Sequence, residues 1–206
     1  VVKGIKFQGL RDAGDPEALA AAYELQGADE IVLLDVSATH EGRDHQVETV
    51  RRVRRHLSIP LTIGGGVRQA RDAGRLLDAG ADKVATNSAA VRRPELLEEM
   101  ATRFGSQCTV ISIDAAADGQ GGWEVVVRGG RERTGVEAIG WAEEAVSRGA
   151  GAALLTSWDR DGTRSGYDLA LMRAVSQAVD VPVITSGGAD TPDQMIEAVQ
   201  AGADAV

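Results

Sequence analysis

Two glycine-rich segments each follow a short aliphatic run, and each could hold an anion. Gly64-Gly65-Gly66 follows "PLTI", and Ser186-Gly187-Gly188 follows "PVIT". Because glycine has no side chain, backbone amides can approach a phosphate there, and the following helix presents further N–H groups. Asn87 and Ser88 end the next aliphatic run and could complete the first site. Tight turns are the alternative, but two copies favour phosphate binding and predict a ligand with a phosphate at each end.

One aspartate is placed to move protons. Asp114 ends the run "VISID" (110–114), and ligands of parallel sheets bind where strands end and loops begin. A carboxyl group at such a point predicts general acid or base catalysis, which contributes about 10²–10⁴-fold to a rate. The alternative is a helix or turn cap, and the spacing alone does not decide between the two.

A charged loop, 159–163 ("DRDGT"), follows the run "ALLTSW". It could bind a metal or cap a turn, because Asp-Gly is a common turn pair. No His or Cys stands near it at ligand spacing, so we predict neither a metal nor another cofactor.

Composition narrows the class of protein. The 206 residues carry a net charge of −9, which argues against non-specific nucleic-acid binding, since that binding needs Lys and Arg to neutralise phosphates. No apolar run approaches the ~20 residues of a membrane span, so no membrane contact is expected. Cys108 is the only cysteine, so no intrachain disulfide is possible, and a reducing cytoplasm is the predicted location.

Short aliphatic runs alternate with amphipathic segments along the chain. Runs of this kind are typical of strands buried on both faces, and the alternation predicts a parallel α/β sheet. One Gly-rich stretch, 118–131, contains "WEVVV" and predicts a small hairpin inserted after a strand. The predicted strands are 31–36, 60–63, 83–86, 109–113, 152–157 and 182–185, with a further start at 203.

An internal repeat indicates how the sheet is arranged. Residues 59–84 align without gaps on 181–206, and the same shift of 122 carries 27–35 onto 149–157. A constant shift over separated segments predicts two half-barrels, which together form a (β/α)₈ TIM barrel. We therefore expect residues 1–206 to form a single domain, with the boundary between its halves near residue 105.

The repeat also predicts which elements this sequence does not contain. Shifted back by 122, the run 110–114 would find its partner before Val1. The partner of "KVATNSAAV" (83–91) would start at Ala205 and run past Val206. The expectation is therefore an incomplete barrel that lacks strand 1 and most of strand 8.

Several of these segments resemble one enzyme family. The segments "TIGGGVR" (62–68), "GADKVATNSAAV" (80–91), "FGSQCTVISIDA" (104–115) and above all "LLTSWDRDGTRSGYD" (154–168) are similar to the cyclase subunit of imidazole glycerol phosphate synthase, the HisF family of histidine biosynthesis. The resemblance covers essentially the whole chain. The sister isomerase of the same pathway shares the barrel and both phosphate sites, but it resembles this chain less well at 1–16 and 154–168.

The resemblance implies an ammonia-dependent lyase. The family converts a linear bis-phosphorylated aminoimidazole carboxamide ribulotide and ammonia into imidazole glycerol phosphate and an aminoimidazole carboxamide ribotide. A glutaminase subunit docks on the opposite face of the barrel and supplies the ammonia. Two carboxylates do the acid/base work: Asp114 matches one, and the other would lie upstream of Val1, so the chain as given is expected to be inactive.

The resemblance also assigns binding roles. Lys3 matches an active-site loop lysine. The positions that match phosphate-binding or pocket-lining residues are Asp35, Gly65, Gly66, Asn87, Ser88, Thr156, Asp161, Gly162, Ser186, Gly187 and Gly188.

A ring of charged residues at the opposite face gates ammonia entry in this family. Glu30 and Lys83 match two members of the ring, whereas Ala152 stands where the family usually has Glu. This departure predicts an altered gate. Two other functions stay open: the sister isomerase, and a non-catalytic remnant that binds phosphate or the glutaminase subunit.

Overall fold

Strands and helices alternate along residues 1–5, 8–35 and 46–206, the part of the chain that the computed structural model describes; for residues 3, 4 and 8 to 11 it describes the backbone alone. The strands are β1 (Val2–Ile5), β2 (Gln8–Asp12), β3 (Ile31–Leu34), β4 (Leu61–Gly64), β5 (Lys83–Thr86), β6 (Thr109–Ala117), β7 (Trp123–Val127), β8 (Glu132–Glu137), β9 (Ala152–Ser157) and β10 (Val183–Ser186). The helices are α1 (Pro16–Leu25), α2 (Gln46–Arg54), α3 (Ala70–Asp78), α4 (Ser88–Arg92), α5 (Glu95–Phe104), α6 (Ala138–Ser147), α7 (Leu169–Ala178) and α8 (Pro192–Gln200).

The main sheet is parallel and follows chain order. Its strands lie in the order β3, β4, β5, β6, β9 and β10, each parallel to its neighbours. Beyond β10, an isolated parallel bridge joins Ile184 to Ala205, the residue at which the repeat predicts a further strand. The α/β class and the strand order of a TIM-barrel wall are therefore confirmed. Within the described residues, β3 and β10 form the two edges and do not pair with each other.

Burial explains why the aliphatic runs form strands. All four residues of β4 and all six of β9 are buried, as expected for strands covered on both faces by helices and side chains. Side chains also cap the starts of helices. The Asp15 side chain caps α1 by accepting from the Glu17 N–H at 2.7 Å, and Thr191 forms a capping box at the start of α8. No helix in the described ranges is long and apolar enough to cross a membrane.

The inserted hairpin is present but larger than predicted. Strand β6 continues to Ala117 because β7 pairs with it antiparallel from Asp114 onward, and β8 pairs in turn with β7. Helix α6 begins at Ala138, since Glu137 stays in β8 and caps the helix through its carboxylate. Strands β1 and β2 pair antiparallel and form a separate two-stranded sheet.

The two halves of the repeat share the same hydrogen bonds. Asp82 Oδ2 accepts from the Leu61 N–H at 2.8 Å, and Asp204 Oδ2 accepts from the Val183 N–H at 2.9 Å. In the reverse direction, the Asp82 N–H donates to Leu61 O and the Asp204 N–H donates to Val183 O. Each aspartate thus makes two hydrogen bonds to the backbone of the first residue of a neighbouring strand. The repeat seen in the sequence is therefore a repeat of contacts as well.

Candidate active site

A cavity of about 160 Å³ opens at the carboxyl ends of β3 to β6. Strand ends and the loops that follow them supply its walls, which is where α/β barrels place their ligands. Six of the predicted site residues meet there: Asp35, Gly65, Gly66, Asn87, Ser88 and Asp114.

The first glycine segment has a backbone that only glycine adopts without strain. Gly65 and Gly66 have φ angles of +92° and +69°. A Cβ on Gly65 would lie 2.2 Å from Asp35 O, so the absence of a side chain lets the two loops touch. The Asp35 N–H donates to Gly64 O at 2.9 Å, which holds Asp35 against the same segment. The result is a rigid wall of backbone along one side of the cavity.

Asn87 and Ser88 lie opposite this wall, at the end of β5. The Asn87 side-chain amide donates to Asp114 Oδ2 at 3.0 Å and to Val126 O at 3.4 Å. Asn87 Oδ1 and the neighbouring Thr86 Oγ1 are buried without a hydrogen-bond partner among the described residues. Both residues line the cavity. Buried polar atoms are nearly always paired, so these two oxygens are exceptions beside the cavity.

Asp114 has the electrostatics of an acid/base group. Its side chain is buried, and burial raises the pKa of its carboxyl group to about 7. The charge of Asp161 pushes the pKa in the same direction, whereas hydrogen bonds from Asn87 and Thr156 oppose it. A carboxyl group with such a pKa is present in both protonation states near neutral pH, as proton transfer requires.

The second glycine segment has a related geometry. Gly187 and Gly188 have φ angles of +90° and +98°. A Cβ on Gly188 would lie 2.2 Å from Gly166 O, and the Gly166 N–H donates to Gly188 O at 2.8 Å. The loop at 159–163 lies beside it, since a Cβ on Gly187 would contact Asp161. The two glycine segments therefore each meet the loop that follows the preceding strand.

The charged loop at 159–163 is a set of turns. Its Asp161 N–H donates to Ser157 O at 2.9 Å, and Gly162 has a φ of +71°. Asp159 Oδ2 accepts from the Ala117 N–H at 2.8 Å, which ties this loop to the end of β6. In the parts of the chain that the structure describes, no three His, Cys, Asp or Glu side chains are grouped to hold a metal ion.

The remaining predicted pocket residues have distinct places. Thr156 is the register partner of Asp114 on one side and of Ser186 on the other, so these three residues form one row across β6, β9 and β10. Lys3 lies in β1, and its side chain is outside what the structure describes. Its predicted role as a loop lysine stays a prediction.

The opposite, amino-terminal end of the sheet carries an ion pair. Lys83 Nζ lies 2.6 Å from Glu30 Oε2, and Thr62 Oγ1 donates to Glu30 Oε1 at 2.5 Å. Both charged side chains are about a quarter to a third exposed, at 26% for Glu30 and 30% for Lys83. Ala152 begins β9 at this same end of the sheet and is buried. The two predicted ring residues are thus brought together, and the third position offers only a methyl group.

The structure adds cavity residues that the sequence patterns missed. Arg68 and Arg92 line the cavity and bring positive charge to it, and Gly129 reaches it from the turn between β7 and β8. Arg92 could have been found, because it stands four residues after Ser88 and so lies on the same helix face. No local pattern points to Gly129, since the hairpin pairing alone carries it to the cavity.

Comparison with known proteins gives a consistent result. A family model described as "Histidine biosynthesis protein" matches residues 1–206. The chain is 59% identical over 202 residues to the imidazole glycerol phosphate synthase subunit HisF of Myxococcus xanthus, a match that covers 98% of this chain and 79% of that protein. The same subunit of Synechococcus sp. (strain CC9311) is 56% identical over 202 residues, with 98% and 77% covered. That of Nocardia farcinica is 54% identical over 212 residues, with 100% and 82% covered.

Proposed function

The chain belongs to the histidine biosynthesis protein family, among the HisF subunits of imidazole glycerol phosphate synthase, and we propose that it provides the cyclase site of that enzyme. The substrate is a linear aminoimidazole carboxamide ribulotide with a phosphate at each end. Ammonia reacts with it to give imidazole glycerol phosphate and an aminoimidazole carboxamide ribotide.

The position of Asp114 is the observation that carries this proposal. It lines the same cavity as the first glycine segment, and its register partner Thr156 pairs with Ser186, which begins the second. A ligand with two phosphates would place one at each glycine segment and its reacting centre near Asp114. Backbone amides and the cavity arginines Arg68 and Arg92 suit phosphate groups at the first segment.

Asp114 is proposed to accept and return a proton during ring closure. Its pKa of about 7 lets it act in either direction near neutral pH. The Asn87 amide, which donates to Asp114 Oδ2, fixes the orientation of the carboxyl group.

The Glu30–Lys83 pair supports a role for the opposite end of the sheet. We infer that ammonia from a glutaminase subunit enters there, past a ring to which Glu30 and Lys83 contribute. Ala152 leaves one position of this ring without a charge. A reducing cytoplasm suits a protein whose one cysteine, Cys108, is free.

An assay of the full-length native protein with ammonium ions tests the function. We expect the bis-phosphorylated ribulotide to be consumed, with release of both products, only when ammonia is present. Formation of this ribulotide from an isomeric precursor without ammonia would instead favour the sister isomerase. Binding of the bis-phosphate without conversion by the full-length protein would favour a non-catalytic role.

A further inference from the structure

The turn between β7 and β8 has an unusual backbone. Arg128, Gly129 and Gly130 have consecutive φ angles of +56°, +67° and +72°. For a residue with a side chain, the left-handed conformation costs roughly 1–2 kcal/mol. A strained arginine persists only where its surroundings hold it, so contacts of this turn must fix Arg128.

One of these contacts reaches the first phosphate site. The Arg128 N–H donates to Ser88 Oγ at 3.0 Å, and Ser88 lines the cavity beside Gly129. A serine hydroxyl has one hydrogen and two lone pairs. Because the Arg128 N–H occupies a lone pair, the hydroxyl hydrogen of Ser88 is left to donate to another group. An anion in the cavity is the acceptor that this arrangement suits.

The other contact determines where the turn lies. A Cβ on Gly130 would be 2.1 Å from Trp158 Nε1, so the backbone of the turn rests directly on the indole ring. The backbone of Trp158 is tied to β6, because its backbone N–H donates to Ala115 O at 2.9 Å. Trp158 also directly precedes the loop at 159–163, which lies beside the second glycine segment. The turn therefore contacts Ser88 at the first site and Trp158, the residue before the loop at the second.

We propose that the turn at residues 128–130 is a positioning element for substrate: seated on Trp158, it orients the Ser88 hydroxyl as a hydrogen-bond donor to the substrate's phosphate. This inference rests on the proposed function, because it deepens the role of Ser88 there. Arg128 acts through Ser88 and through its backbone, not through its guanidinium group. A displaced turn should thus raise the KM for substrate while changing the kcat little.

Gly130→Ala in the full-length protein tests the proposal, with Gly119→Ala as the matched control. Gly119 has a similar φ of +78° and lies at the other end of the same hairpin, and a Cβ added there would meet nothing within 4 Å. We expect Gly130→Ala to raise the KM for the bis-phosphorylated substrate and the Kd for inorganic phosphate about tenfold, the effect of roughly one lost hydrogen bond to a charged group. The kcat should change less than twofold, and Gly119→Ala should change neither constant by more than twofold.

A double-mutant cycle with Ser88→Ala separates positioning from general damage. If the turn acts through Ser88, adding Gly130→Ala to Ser88→Ala should raise the KM by less than twofold. A full tenfold rise on the Ser88→Ala background, or equal effects of Gly130→Ala and Gly119→Ala, would overturn the inference and leave the proposed function intact. Unchanged phosphate binding in Ser88→Ala itself would count against the phosphate role in the proposed function, and the inference would fall with it.

Trp158→Leu provides a second route if Gly130→Ala does not fold. It removes the ring on which the turn rests without adding strain to the backbone. The same rise in KM, again absent on the Ser88→Ala background, would support the proposal. An unchanged KM in a folded Trp158→Leu protein would overturn it.

Discussion

The Asn87 side-chain amide donates to Asp114 Oδ2 over 3.0 Å, although the two residues lie 27 positions apart, one just after β5 and the other within β6. This bond joins the candidate phosphate site of β5 to the candidate proton-transfer group of β6. This hydrogen bond lowers the pKa of the Asp114 carboxyl group, whereas burial raises it more strongly. The resulting pKa is about 7. Substrate binding and proton transfer are therefore predicted to share one polar contact.

Replacing Asp114 by Asn should separate these two functions. The Asn side chain keeps the shape and can still accept from Asn87, but it cannot take up a proton. We expect the kcat of the full-length protein to fall by about 10²–10⁴-fold, with the Kd for inorganic phosphate changed less than threefold. Steady-state kinetics and calorimetric titration measure the two quantities. Retained turnover would contradict the acid/base role of Asp114.

The same substitution should stabilise the fold above neutral pH. Because the pKa of Asp114 is raised in the folded state, the folded chain holds this proton more tightly than the unfolded chain. The free energy of unfolding therefore falls as pH rises from about 4 towards 7. Asp114→Asn removes this loss and should increase the free energy of unfolding at pH 8, by on the order of 1–4 kcal/mol. Urea unfolding at pH 8 and pH 4 is the measurement, and the difference between the proteins should shrink at pH 4.

Gly65→Ala should disrupt the first phosphate site, whereas Gly27→Ala should not. Both glycines have similar positive φ angles, +92° and +97°, but a Cβ on Gly65 would lie 2.2 Å from Asp35 O and one on Gly27 would meet nothing within 4 Å. We expect Gly27→Ala to cost only the strain of roughly 1–2 kcal/mol. Gly65→Ala should cost more and should also weaken phosphate binding. Equal losses of stability with unchanged phosphate binding would refute the role of this segment.

Ala152→Glu should couple turnover in this protein more closely to glutamine hydrolysis by the glutaminase subunit. Glu at this position would restore a charge at the end of the sheet that holds the Glu30–Lys83 pair. We expect the ratio of glutamine-driven to ammonia-driven turnover to rise in the complex of the full-length protein. Val110→Ala, in the register partner of Ala152, controls for packing changes at the same place. An unchanged ratio would remove Ala152 as the cause of an altered gate.

The sequence predicted the parallel strands well because burial on both faces leaves a continuous aliphatic run. The strands Lys83–Thr86 and Ala152–Ser157 have the predicted bounds. The continuation of β6 through Ala117 was not predicted, because its extended backbone depends on pairing with β7. The segment "WEVVV" indicated a hairpin, but not that its first strand would pair with β6.

The candidate site was predictable to the extent that it depends on strand ends. Asn87 and Asp114 were chosen because they end aliphatic runs, and Asp35 was chosen from the family resemblance. The structure brings all three to one cavity; their chemical roles stay predictions. Gly129 enters the same cavity from a hairpin whose reach depends on strand register. The position of Gly129 depends on how distant strands pair, so no spacing in the sequence could indicate it.

The two turns that flank β7 differ in whether they can accommodate added side chains or changes of length. The outer turn, residues 118–122, is closed by its own hydrogen bonds, with the Asp118 carboxylate accepting from Gln120 and Gly122, and side chains added at Gly119 or Gly121 would point into open space. The inner turn at 128–130 is confined by Ser88 and Trp158. Over evolutionary time, insertions and deletions should accumulate at the outer turn while the inner turn keeps its length. A single inserted hairpin would then give the barrel a surface free to diversify, for instance towards new partners, without disturbing the chemistry at its other end.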